Sequence, residues 1–124
     1  MGAHILPACP TVPVELDGRT YEMRVGCMGL MPAVEAYRAR AASLSAEQDA
    51  AGVLAGLEEL GELAMRAATL AFGRDAAVEL LGDGASLDAA RASALLAAVV
   101  EESASPEASE ALRLAVLGDR TADE

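Results

Sequence analysis

Lysine is missing from this chain, and all nine basic residues are arginine. That absence removes Schiff-base chemistry and lysine general bases. Histidine occurs once, as His4. A single histidine with no downstream partner argues against Ser-His-Asp and Cys-His catalysis. Cysteine is limited to Cys9 and Cys27, so at most one intramolecular disulfide can form. His4, Cys9 and Cys27 offer three potential zinc ligands, yet no close C-x₂-C pair is present, and such pairs mark structural zinc sites. They are read as a mobile histidine and two unpaired thiols, with no metal and no cofactor. Basic charge is scarce: 20 acidic residues against nine arginines leave a formal charge of −11. A surface this acidic repels phosphate backbones and anionic lipid, which argues against nucleic-acid and membrane partners.

Leader and membrane signals are lacking too. The N-terminus has neither the basic region nor the apolar run of a signal peptide. Leu6-Pro7-Ala8-Cys9 has the look of a lipoprotein cleavage box, but the five residues before it cannot hold an apolar run. No apolar stretch reaches the roughly 20 residues of a membrane span without charge or glycine. The expectation is a soluble protein with free thiols, in the cytoplasm of a bacterial host.

What is present begins with a hairpin. Val12 to Leu16 alternates apolar and polar, Asp17-Gly18 follows, and Arg19 to Val25 alternates again. Asp-Gly suits a type I′ turn, whose two central residues need positive φ. A two-residue turn pairs Leu16 with Arg19, Val14 with Tyr21 and Val12 with Met23. Those positions share one face, so five apolar residues and the stem of Arg19 are expected to cover the core. Turn and alternation agree, as a real element requires. Pro13 has no N–H and protects the first strand as an edge. A further strand would join more easily beside Arg19 to Val25.

Helical signals fill the rest. Gly26, Gly29 and Pro32 punctuate the exit, and a first helix is predicted from about Met31 to Ala42, with Val34, Tyr37 and Ala41 as its stripe. Ser45-Ala46-Glu47-Gln48 has the form of a capping box. It predicts a long helix running to Phe72 and stopped by Gly73. Val53, Leu57, Leu60, Ala64, Ala67 and Ala71 recur at spacings of four and three, opposite Glu58, Glu59, Glu62 and Arg66. Gly52, Gly56 and Gly61 mark either a kink or a close helix contact. A short helix is predicted from about Arg74 to Leu81, ending at Gly82, and Asp83-Gly84 makes a turn. Ser86 is expected to cap a fourth helix to about Ser103, with Ala89, Ala92, Leu95, Leu96, Val99 and Val100 on its apolar side. Ser105-Pro106-Glu107 opens a last helix with stripe residues Ala108, Ala111, Leu112, Ala115 and Val116, stopped by Gly118. Many of the 29 alanines fall on stripes, predicting close helix packing over small side chains.

The fold class that follows is α+β, mostly α: an N-terminal β-hairpin and a bundle of four to five helices. One domain is expected over 1–124, with a flexible N-terminus (1–11), the hairpin (12–25), a helical part (31–117) and a flexible tail (118–124). The Glu58, Glu59 and Glu62 cluster reads as a solvated face, because catalytic carboxylates need a concave site that separates their pKa values. Gly52-x-x-x-Gly56 reads as local packing, since that motif is best attested in membranes. Met23, Met28 and Met31 surround the glycine-rich exit, and methionine adapts to varied partners. Met23 lies on the apolar hairpin face, where core filling explains it. No catalytic residue is assigned, and the chain is read as non-enzymatic.

The Gly18-x-x-Tyr21 step, Glu35-Ala36-Tyr37, the long amphipathic helix ending in Phe72-Gly73, and Leu80-Leu81-Gly82 followed by the Leu87 helix carry a family resemblance. Over about Val12 to Val100 the chain resembles small proteins of phage tail gene clusters, the siphophage tail assembly chaperones. It departs from them in lacking lysine, in its alanine content and in its additional C-terminal helix. The resemblance implies a protein that holds tail-tube or tape-measure-like proteins until the tail polymerises. Helix-in-groove binding uses anchors at i, i+3, i+4 and i+7. The candidate partner-binding residues are Val53, Leu57, Leu60 and Ala64, or the groove between that stripe and the last helix, together with Met28 and Met31. A homo-oligomer is expected as well. The alternative is an acidic helical adaptor or antitoxin-like interaction module of a bacterial cell.

Overall fold

A computed structural model describes residues 2–6, 8–82 and 88–117. Its elements are β1 (Thr11–Leu16), β2 (Arg19–Arg24), α1 (Leu30–Ser45), α2 (Ala50–Phe72), α3 (Arg74–Leu81), α4 (Ala89–Ser103) and α5 (Pro106–Leu117). The protein is α+β and mostly α, with an N-terminal two-stranded hairpin followed by helices. The expected Asp83-Gly84 turn, the Ser86 cap, the Gly118 stop and the tail at 118–124 lie outside the described residues.

The hairpin forms in the expected register, with Leu16 opposite Arg19, Val14 opposite Tyr21 and Val12 opposite Met23. Asp17 and Gly18 take φ of 52° and 78°, the signs a type I′ turn demands. Val12, Val14 and Met23 are buried, and Leu16 and Tyr21 half-buried. Arg19 departs from expectation. It is exposed, its guanidinium pairs with Glu79 of α3 and lies 5.9 Å from the centre of the Tyr21 ring. A cation at the turn end keeps its solvent and partner rather than entering the core. Val25 continues the ladder by donating its N–H to the Pro10 carbonyl at 2.9 Å.

Two helix boundaries move. α1 runs on to Ser45 instead of stopping near Ala42, and α2 starts at Ala50 behind Asp49. The Ser45 to Gln48 capping box therefore does not form. Ser45 lies inside α1, where its hydroxyl donates to the Ala42 carbonyl at 2.7 Å. The extension has a tertiary cause. Leu44 seats on Gly56 of α2, where an added Cβ would stand 2.5 Å from Leu44 Cδ1. Gly56 is a close-contact glycine, and α2 stays helical through Gly52, Gly56 and Gly61 for 23 residues, about 35 Å.

α2 is the central element and packs against α1, α3, α4 and β2. Ala64, Ala67, Ala68 and Ala71 have no exposure, so neighbouring elements approach its backbone closely. At its C-terminal end the Arg24 Nη1 donates to the Thr69 and Leu70 carbonyls at 3.2 and 3.4 Å. A cation there satisfies open carbonyls and opposes the helix dipole. Tyr21 meets Phe72 edge-on, 6.2 Å between ring centres. α4 buries Ala92, Leu95, Leu96 and Val99, with Val100 half-buried and Ala89 exposed. Its cap is Asp88, which accepts from the N–H groups of Ala90 (2.8 Å) and Arg91 (3.4 Å). α5 starts as expected, with Ser105 Oγ accepting from the Ala108 N–H at 3.1 Å. Its stripe is a correction: Ala108 is buried and Ala111 half-buried, but Leu112, Ala115 and Val116 are exposed. α5 packs on β1 and α4, and nothing described covers the residues after its first two turns.

Candidate protein-binding surface

Reactive side chains do not converge among the described residues. Among the described residues no group of three His, Cys, Asp or Glu could hold a metal ion, and no polar or charged residue is buried. Cys9 and Cys27 are free thiols, with Cys9 Sγ donating to the Val25 carbonyl at 3.1 Å. Glu58, Glu59 and Glu62 are exposed. Glu59 pairs with Arg40 of α1 at 2.5 Å. The described residues contain no helix long and apolar enough to cross a membrane.

Apolar surface is what remains, and the six candidate residues divide over it. Leu60 and Ala64 are buried in the protein's own core, 6% and 0% exposed. Val53 is half-buried, and Leu57 is 42% exposed. The division follows from length. α2's later turns have partners on several sides, whereas its first turns meet mainly the end of α1. Leu54, 65% exposed, stands one turn before Leu57. Stripe reasoning missed it because it lies off the four-three pattern; its i, i+3 spacing to Leu57 was the available signal.

Met28 and Met31 sit elsewhere. Met28 is 95% exposed and Met31 is also exposed. Gly29 between them lies against Leu70, which is about 20 Å along α2 from Leu57. The methionines and the α2 leucines are therefore separate surfaces. A third surface is α5, where Leu112, Leu114, Val116 and Leu117 are all exposed. Leu112 touches the hairpin exit, since a Cβ on Gly26 would stand 2.8 Å from Leu112 Cδ1.

One concavity adjoins the α2 leucines. Tyr37 of α1, Leu57, Leu60 and Gly61 of α2, and Asp88, Ala89 and Ala92 around the start of α4 line a cleft of about 180 Å³. The Tyr37 hydroxyl is 2.7 Å from Ser93 Oγ and 3.4 Å from the Ala89 carbonyl, so its polar end is satisfied and its ring forms a wall. A second hollow, between Leu16, Asp17, Leu80, Arg91, Ala94 and Leu95, is about 120 Å³. Arg91 lines it and binds the Leu80 carbonyl and the Asp17 carboxylate. Such an arrangement can seat apolar side chains of another molecule. No protein-family model, no curated protein and no solved structure matches the chain.

Proposed function

We propose that the protein is a non-enzymatic phage tail assembly chaperone or morphogenesis factor that binds tail proteins through apolar helical surface. The observation that carries this reading is the pair Leu54 and Leu57, exposed side by side on α2 beside an apolar cleft. Exposed leucines on an acidic chain give contact area to a client while like charge keeps the exterior soluble. The residues that resemble tail assembly chaperones supply the client class: a tail-tube or tape-measure-like protein. In the same reading, α5 meets a second copy through Leu114, Val116 and Leu117, since Glu107, Glu110 and Arg113 leave that helix almost neutral.

Co-expression with a siphophage tail-tube protein and with a tape-measure protein tests the proposal. A stoichiometric complex with one of them is expected. Purification of both proteins without any complex would overturn it.

A further inference from the structure

The cleft between α1, α2 and α4 has a shape and a rim that select a class of partner. Its volume of about 180 Å³ is below the 300–1,000 Å³ of ordinary small-molecule sites. It is close to the roughly 150 Å³ apolar cavity that accepts one benzene ring. One bulky apolar side chain fills it. Gly61 lets that side chain reach the α2 backbone, and Leu54, Leu57 and Gly61 form an i, i+3, i+7 row leading to it. A helix laid in a groove presents anchors at matching intervals.

The rim is acidic. Asp88 lines the cleft and is exposed. Glu58 and Glu62 continue the i, i+4 row that starts at Leu54, both exposed but outside the cleft lining, and Arg66 is the one basic residue of that helix. A second copy of this chain brings another formal charge of −11 to that rim and is disfavoured there, as are nucleic acid and anionic lipid.

We infer that this cleft is a docking site for a basic amphipathic helix of another protein, with one Phe or Leu in the cleft and Arg or Lys on Asp88, Glu58 and Glu62. The inference rests on the reading that the protein binds other chains, and it names the chemistry and the seat of that partner.

Two synthetic amphipathic peptides with the same Leu/Phe face test it, one with an Arg/Lys polar face and one with a Glu polar face. Titrated into the isotope-labelled full chain, the basic peptide shifts the amides of Leu57, Gly61, Ala89 and Ala92, and the Glu peptide does not. Gly61→Leu fills the cleft and weakens binding at least about tenfold, the scale of one lost apolar anchor. Leu57→Gln, at an exposed position, gives a second reading if Gly61→Leu misfolds. Asp88→Asn keeps the α4 cap and weakens binding by about two- to fivefold, the range of an exposed ion pair. Equal binding of both peptides, or shifts confined to α5, would sink the inference. A tail-protein complex that survives Gly61→Leu and Leu57→Gln would also sink it while leaving the assembly role standing. Basic-peptide binding with no tail-protein complex would do the reverse.

Discussion

Gly26 and Gly56 show how differently two glycines can matter. Gly26 has φ of +86° and a Cβ there would meet Leu112 Cδ1 at 2.8 Å. The backbone conformation opposes a side chain, whereas Leu112 Cδ1 is the free end of an exposed side chain that can turn aside. Gly26→Ala is therefore expected to cost about 1–3 kcal/mol in urea unfolding, mainly through φ. Adding Leu112→Ala should recover little of that cost, which a double-mutant cycle checks. Gly56 lies in a regular helix, and its close neighbour is the free end of the half-buried Leu44 side chain. Alanine gains about 1 kcal/mol of helix propensity there and Leu44 can swing aside. Gly56→Ala should change stability by less than about 1 kcal/mol. In sequence, Gly26 is punctuation and Gly56 marks either a kink or a contact. Local sequence does not separate the two cases, because the deciding neighbours, Leu112 and Leu44, lie on α5 and α1.

At the scale of elements, caps decide where helices begin, and burial decides which caps are used. Asp88 caps α4 with its carboxylate, so Asp88→Ala should cost about 0.5–2 kcal/mol while Asp88→Asn costs little. Ser45→Ala should cost almost nothing, because its hydroxyl bonds backward within α1. Thermal unfolding of the three variants orders them. In α5, a hydrogen bond from Arg113, and then its charge, hold the Glu110 carboxyl below the usual value of 4.5, and the same pair raises Arg113. Glu110 is more acidic in the folded helix. Its contribution is therefore present above pH 4.5 and is lost as pH falls through the lower folded value. Both groups are fully exposed, so solvent screening keeps the effect small. Arg113→Ala should return the NMR titration of Glu110 to about 4.5. Amides in the second half of α5 should exchange fastest among the helices, since Ala108 is its one fully buried residue.

For the whole molecule, an alanine-lined centre and exposed leucines belong together. Ala64, Ala67, Ala68 and Ala71 let α2 sit deep among its neighbours, but small side chains bury less apolar area than leucines would. Much of the larger apolar surface stands exposed instead, on early α2 and late α5. Light scattering on the pure protein is expected to show a species larger than the monomer. Leu114→Glu with Val116→Glu should return it to a monomer with unchanged helicity by circular dichroism. A wild-type monomer at high concentration would remove self-association from the reading.

What the chain alone determined is what neighbours in sequence determine. Asp17-Gly18 dictated the turn and, with the alternation on both sides, the pairing of Val12 with Met23. Gly73 and Gly82 bounded α3, because positive φ at a glycine ends a helix wherever it occurs. Tertiary structure decided what depends on the opposite side of each face. Leu44 found a seat on Gly56 and carried α1 past its expected end. The same four-three stripe on α2 faced core at Leu60 and solvent at Leu57, since periodicity records which residues share a face and not how far along it a partner extends. The cleft at Gly61 exists because α1, α2 and α4 meet there, and no local spacing encodes the meeting of three helices.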